Sequence, residues 1–109
     1  MLEPLFDSPV KEKVLLAILA RGESYPRELA GIFGLRVYAV QYQLQKMERG
    51  GVLYSRLRGR TRLYGFNPRY PFRRELLSLL EKARGFYPAA ERRAWLEPRL
   101  RPRRAGKPL

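Results

Sequence analysis

Proline and glycine punctuation divides the first fifty residues into three short segments. At Ser8-Pro9 a capping side chain precedes a proline, a pair that favours the first turn of a helix. The sequence therefore predicts a helix from Pro9 to Arg21, with Gly22 able to adopt the conformation that closes it. The same order recurs at Ser24-Tyr25-Pro26, which predicts a second helix of about two turns that Gly34 ends. The chain is thus expected to begin as two short helices joined by a tight turn.

A longer third helix is predicted to begin at Arg36 or Val37 and to run to Arg49. Some of its apolar residues follow the spacing of a single helix face and are expected to point inward. These inward residues are Val40, Leu44 and Met47. The same period leaves other side chains largely outside the core. These outward residues are Val37, Tyr38, Gln41, Tyr42, Gln45 and Lys46.

After two consecutive glycines the pattern changes to that of a β-hairpin. Val52 to Leu57 is predicted as a strand, Arg58-Gly59-Arg60 as the turn, and Thr61 to Phe66 as the return strand. No acidic residue occurs between Glu48 and Glu75, whereas eight arginines do. Four of these arginines alternate along the hairpin, at positions 56, 58, 60 and 62. Since side chains alternate in an extended strand, this spacing predicts several guanidinium groups on one side of the hairpin tip.

The rest of the chain is predicted to add two helices and a basic tail. Apolar residues recur at helical spacing before Gly85 and indicate a helix with a broad apolar surface. These residues are Phe72, Leu76, Leu77, Leu79 and Leu80. A shorter helix is predicted from about Pro88 to Glu97. From Arg99 to Lys107 the chain has five basic residues and no acid, a composition typical of mobile tails. We therefore expect a domain at residues 1–85 and a C-terminal extension at residues 86–109.

The residue composition argues against most catalytic and metal-binding chemistry. The 109 residues include no Cys and no His, which removes thiolate metal sites and the usual general base. The ten acidic residues are scattered, and no nucleotide-binding glycine motif occurs. We expect no enzyme activity, no metal and no cofactor. The longest apolar run, seven residues from Val14 to Ala20, is too short for a bilayer, and the start lacks a signal-peptide pattern, so we expect a cytoplasmic protein.

The net charge points to a polyanionic partner. The chain has 23 Lys and Arg against 10 Asp and Glu, a formal net charge of +13 at pH 7. A small fold tolerates the self-repulsion of such a charge most readily when it works beside a polyanion. Nucleic acid is therefore the first partner to consider.

Several segments resemble winged helix-turn-helix transcriptional regulators of the ArsR-type and MarR-like groups. Phe33 to Glu48 resembles their recognition helix, and Tyr25 to Ala30 resembles the helix before it. Gly51 to Arg56 and Arg60 to Pro68 resemble their wing and its Asn-Pro exit. The resemblance covers about Leu5 to Arg84. It implies a mainly α fold with a small β-hairpin, in which a three-helix core carries a wing and C-terminal helices. The Cys and His boxes of metal-sensing ArsR members are absent.

The resemblance implies that the third helix enters the major groove of double-stranded DNA. The residues that fall where the family reads bases are Val37, Tyr38, Ala39, Gln41 and Tyr42. A glutamine pairs bidentately with adenine, so Gln41 and Gln45 are predicted to carry most of the direct readout. The residues predicted to contact the DNA backbone are Arg36, Lys46, Arg56, Arg58, Arg60 and Arg62. The predicted function is a sequence-specific double-stranded DNA-binding transcriptional regulator.

A homodimer is expected, because two copies double the interface and read a pseudo-palindromic site. Phe72, Leu76 and Leu80 are spaced to pack inward, while Leu77 and its neighbours are spaced to meet a second copy. The residues predicted for the dimer interface are Leu76, Leu77, Leu80 and Trp95. In the alternative interpretation the five apolar residues of the helix before Gly85 complete the core of a single chain. These are Phe72, Leu76, Leu77, Leu79 and Leu80.

Two other functions stay open at this point. The first is a protein-interaction or antitoxin-like winged-helix partner of a small enzyme such as a nucleotidyltransferase. The second is a general RNA-binding or nucleic-acid-binding module, in which the arginine-rich tail dominates. A small-molecule or protein effector would leave no pattern in the sequence, so its identity is not predicted.

Overall fold

The computed structural model describes residues 1–96 and shows a mainly helical chain with one small antiparallel sheet. In chain order the elements are α1 (Glu3–Phe6), α2 (Pro9–Arg21), β1 (Glu23–Ser24), α3 (Pro26–Phe33), α4 (Val37–Arg49), β2 (Leu53–Arg58), β3 (Thr61–Phe66), α5 (Arg73–Arg84) and α6 (Ala89–Leu96). Glu97, the predicted end of the last helix, and the predicted tail from Arg99 to Lys107 lie outside the described residues. Within residues 1–96, no helix has the length and apolar character needed to cross a membrane.

Capping residues, prolines and glycines set the bounds of α2, α3 and α4, as predicted. Ser8 caps α2, because its side-chain oxygen accepts a hydrogen bond from the backbone amide of Lys11 at 3.0 Å. Gly34 ends α3 in the left-handed conformation, with φ 64° and ψ 40°. Helix α4 begins at Val37 without a side-chain cap, since Arg36 has no short oxygen acceptor to offer the free amides.

The sheet contains a strand that the sequence patterns did not predict. Strand β1 pairs antiparallel with β3, and β3 pairs antiparallel with β2, giving the order β1-β3-β2. The hairpin is confirmed, although β2 runs from Leu53 to Arg58, one residue later at each end than predicted. Ser24, Leu53 and Tyr64 share one face of the sheet and are buried, so this face packs toward the helices. β1 was missed because two residues between two turn signals carry no periodicity.

The hydrophobic core lies around α2. Leu16 and Ile18 of this helix are fully buried together with Leu29 of α3 and Leu80 of α5. The three inward positions predicted for α4 are confirmed. Val40, Leu44 and Met47 are buried in the same core. Burial of this apolar face fixes which side of α4 is left for solvent.

A buried carboxylate ties the first and last described elements to α2. Glu12 is 2% exposed, and its Oε1 accepts hydrogen bonds from the amide of Leu2 at 2.9 Å and the amino group of Met1 at 3.2 Å. Its Oε2 accepts the hydroxyl hydrogen of Tyr87, just before α6. The Tyr87 ring stands edge-on to that of Trp95, with the centroids 5.1 Å apart. Because a buried charge is costly without donors, these bonds hold α1 and α6 against α2.

Candidate nucleic-acid interface

One side of α4 anchors the helix in the core, and the opposite side is open. The predicted base-reading residues that are exposed are Tyr38, Gln41, Tyr42 and Gln45. Tyr38 is 76% exposed and Tyr42 is 48% exposed, which is unusual for large aromatic side chains. Val37 and Ala39 are half-buried and present less surface. The outer side of α4 is therefore free to contact another molecule.

Two cationic residues lie toward opposite ends of this exposed row. Arg36 is exposed immediately before the first turn of α4. Lys46 is exposed in the last turns, with its ammonium nitrogen 5.9 Å from the centroid of the Tyr42 ring. That distance allows a cation–π contact, which orders the lysine over the aromatic side chain. The polar and aromatic side chains of α4 thus lie between two positive charges.

The hairpin register divides the alternating arginines between two faces. Arg56 lies opposite Leu63 and Arg58 lies opposite Thr61, so these two arginines share one face. Arg62 lies opposite Leu57 and therefore belongs to the other face. Arg60 lies in the turn between the strands. The prediction that this spacing would place several guanidinium groups on one side is confirmed for Arg56 and Arg58 and was wrong for Arg62, because residues across a tight turn are related by the pairing register and not by their separation in sequence.

Arg56 is paired with a carboxylate of its own chain. Glu23 in β1 accepts a hydrogen bond from Arg56 Nε at 2.8 Å, another from Nη2 at 2.7 Å, and a third from the Tyr54 hydroxyl. The hydrogen bonds from Arg56 and then from Tyr54 stabilise the carboxylate and lower the pKa of Glu23 from 4.5 to about 2. The hydrogen bonds to Glu23 also raise the pKa of Arg56 and that of Tyr54. Sequence reasoning missed this pairing because it depends on the position of β1.

Arg62 links the hairpin to the last turn of α4. Its Nη1 donates to the Ser55 hydroxyl at 2.9 Å, and that hydroxyl donates to Glu48 Oε2 at 2.6 Å. Arg58 and Arg60 differ, since neither has a hydrogen bond or ion pair within the part of the chain that the structure describes. Their guanidinium groups are free to bind an external anion.

A cleft of about 320 Å³ joins α4 to the hairpin tip. Gln41 lines it from α4, Arg60 and Arg62 line it from the hairpin, and Tyr25 and Arg27 line it from the start of α3. Arg27 was not among the predicted site residues. The sequence feature that could have identified Arg27 is its position as a basic residue in the first turn of α3, the helix that precedes α4. Three arginines and one exposed glutamine therefore line a single concave surface.

Arg58 belongs to a different surface. It lines a wider open cleft of about 740 Å³ on the outer face of the sheet, together with Glu23 and Tyr54. The Arg58 charge therefore lies beside a carboxylate and on the opposite face of the hairpin from Arg62. Of the predicted backbone-contact residues on the hairpin, Arg60 and Arg62 are the two that the structure brings next to α4.

Two of the residues predicted for a dimer interface are inside the single chain. Leu80 is fully buried and Trp95 is 4% exposed, so neither side chain is open to a partner, and this assignment is corrected. Leu76 and Leu77 are half-buried. Phe72 was predicted to point inward and is 62% exposed, because α5 begins at Arg73 and leaves Phe72 just before its first turn.

No family model, characterised protein or solved structure matches the chain.

Proposed function

We propose that the chain is a sequence-specific double-stranded DNA-binding transcriptional regulator with a winged helix-turn-helix fold. In this proposal α3 and α4 form the helix-turn-helix, α4 is the recognition helix, and the hairpin of β2 and β3 is the wing. The proposal depends mainly on one observation, the cleft in which Gln41 of α4 lies beside Arg60 and Arg62 of the hairpin. An amide that can read a base and guanidinium groups that can bind phosphate are thereby presented together.

The exposed side of α4 fits the chemistry of the major groove. A groove about 12 Å wide admits one α-helix, whose outward side chains reach the base edges. In the proposed complex Gln41 and Gln45 pair with adenine, while Tyr38 and Tyr42 contact thymine methyl groups or phosphate. The proposed backbone contacts nearest to the groove are Arg27, Arg36, Lys46, Arg60 and Arg62. Regulation would be steric, through occupation of a promoter or operator.

A second copy of the chain completes the proposed regulator. Leu77 on α5 is half-buried, and Phe72 and Phe86, which flank this helix, are 62% and 69% exposed. A two-fold related copy that covers these side chains would present two α4 helices, and reading successive turns of one groove requires these helices to lie about 34 Å apart. Light scattering at micromolar concentration is expected to give twice the chain mass of 12.8 kDa. A mass of one chain would remove the pseudo-palindromic site from the proposal.

The proposal is tested first by selecting bound sequences from a random duplex library and then by two substitutions. Gln41→Ala is expected to relax the selected base preference, costing about 1–3 kcal/mol at the adenine that it pairs with. Arg60→Ala is expected to weaken all duplexes about equally and to flatten the dependence of affinity on salt. Arg93→Ala on α6 removes one exposed arginine away from the cleft and serves as the matched control, with little expected effect on either property.

Two results would contradict the proposal. A library selection that returns no enriched sequence would remove sequence-specific reading by α4. Displacement of the selected duplex by an equal mass of poly(dI-dC) or of duplex RNA would indicate general nucleic-acid binding instead.

A further inference from the structure

One cation of the hairpin is neutralised by the chain itself on the solvent-exposed face that Arg56 shares with Arg58, opposite the face of Arg62. The side chain of Arg56 is 51% exposed, and that of Glu23 is 25% exposed. The two hydrogen bonds between them are close to ideal for an arginine–carboxylate pair. By contrast, Arg60 has no hydrogen-bond or ion-pair partner within residues 1–96.

The pairing is built by all three strands of the sheet. Glu23 in β1 lies opposite Gly65 in β3, and Gly65 lies opposite Tyr54 in β2. Because Gly65 has no side chain, the Tyr54 ring lies over it, and the Tyr54 hydroxyl reaches the Glu23 carboxylate. A Cβ at position 65 would lie 2.6 Å from the Tyr54 hydroxyl oxygen. The pairing of β1 with β3 and the hydrogen bond from the Tyr54 hydroxyl therefore hold the Glu23 carboxylate in a fixed position beside Arg56.

We propose that Glu23 is an intramolecular competitor of nucleic-acid phosphate for Arg56, and that it limits how tightly the outer face of the hairpin, opposite the face of Arg62, holds a DNA backbone of any sequence. This inference rests on the proposed DNA-binding function. A phosphate that contacts Arg56 either displaces the bidentate carboxylate or shares the guanidinium group with it, and in both cases it must approach the negative charge of Glu23. Since phosphate contacts carry no sequence information, weakening one of them increases the share of binding that depends on base readout.

Glu23 is in its charged form, and so able to compete for Arg56, at every pH at which the protein would bind DNA in a cell. The pKa of Glu23 is about 2, so the carboxylate is ionised throughout the neutral range. Arg58 is the other positive charge on this face of the hairpin, and it favours the ionised form of Glu23 as well. The restraint on Arg56 is therefore constant and does not act as a pH switch.

The test measures binding to a fluorescent duplex of mixed sequence across a series of salt concentrations. Glu23→Gln keeps the size of the side chain and removes its charge. We expect it to bind the duplex about fivefold more tightly than the unsubstituted chain, with a log–log salt slope steeper by about one per chain. In an Arg56→Gln background, the further change Glu23→Gln is expected to give no such gain, because the released cation is absent.

Glu81→Gln is the matched control. It changes the net charge by the same amount and releases Arg84 from an exposed ion pair of 3.8 Å, but it lies on α5 outside the sheet. Its expected gain is less than about twofold. Emission from Trp95, the sole tryptophan of the chain, verifies that each variant is folded.

Each outcome decides a separate point. No binding of duplex DNA by the unsubstituted chain would overturn the proposed function and this inference together. Binding by the unsubstituted chain with no gain in Glu23→Gln would overturn only this inference. An equal gain in the Arg56→Gln background, or in Glu81→Gln, would assign the effect to net charge and would also overturn it.

Discussion

At the scale of single residues, Gly65 provides the space on which the polar network of the sheet depends. An added Cβ would lie 2.6 Å from the Tyr54 hydroxyl oxygen and 2.7 Å from the ring carbon that bears it. Gly65→Ala is therefore expected to push the Tyr54 ring away from Glu23 and to destabilise the fold by about 1–3 kcal/mol. Urea denaturation measures the loss.

Gly50→Ala provides the comparison for this substitution. Its Cβ would meet backbone oxygens at 3.6 and 3.8 Å, which are ordinary contacts. Its effect is expected to stay under about 1 kcal/mol. Equal stability of the Gly65→Ala chain and the unsubstituted chain would show that the ring of Tyr54 moves without cost.

Glu23 also makes the stability of the fold depend on pH. Its pKa in the folded chain is about 2, below its ordinary value of 4.5, so the carboxylate stabilises the folded state above pH 4.5. This contribution is lost as the pH falls from 4.5 toward 2. Thermal melts are expected to show the unsubstituted chain more stable than Glu23→Gln at pH 7, with the difference disappearing near pH 2. A difference that stays constant between these pH values would contradict the assigned pKa.

At the scale of elements, α6 is held on α2 through the buried carboxylate of Glu12. The Tyr87 hydroxyl donates to Glu12, and the adjoining Trp95 ring is 4% exposed. Tyr87→Phe removes a hydrogen bond to a buried charged group and is expected to cost about 2 kcal/mol. Since Trp95 lies on α6, its fluorescence should report the loss directly as a lower urea midpoint.

Tyr70→Phe is the control for this substitution. Within residues 1–96 the Tyr70 hydroxyl has no hydrogen bond, and its ring contacts Phe72 edge-on. Removal of this hydroxyl is expected to leave the midpoint unchanged. Equal midpoints for both substitutions would mean that the Glu12 contact adds nothing to the docking of α6.

The hairpin and α4 form a connected unit at the same scale. The chain of hydrogen bonds from Arg62 through Ser55 to Glu48 crosses from the hairpin to the end of α4. This link keeps Arg62 on the side of the sheet that faces α4. The angle between the hairpin and the helix is thus supported by side chains as well as by the short connection between them.

At the scale of the whole molecule, the charge of +13 should dominate the energetics of binding. Two copies that each make about four phosphate contacts release counterions in proportion, which gives an expected log–log salt slope near −7. Titration of a mixed-sequence duplex across salt concentrations measures this slope. A slope shallower than about −3 would show that most of the positive charge lies away from the duplex.

The sequence by itself determined the parts of the fold that depend on neighbouring residues. The bounds of α2, the glycine end of α3 and the inward face of α4 follow from caps, turns and a period of 3.6 residues, all of which act over a few positions. The hairpin was predictable because the residue pattern changes from helix-like to strand-like after Gly50 and Gly51. The exposed glutamines of α4 were predictable for the same reason, since the position of Val40 and Leu44 in the core fixes the opposite face.

Only the tertiary structure decided which charges lie together. Strand β1 owes its existence to pairing with β3, and with it come the Glu23 carboxylate and the neutralisation of Arg56. The register placed Arg62 on the α4 side of the hairpin, and the packing of α3 brought Arg27 into the same cleft. These contacts join residues that are far apart in the chain. The conformational preferences of neighbouring residues cannot predict them, because each contact needs a partner from another helix or strand.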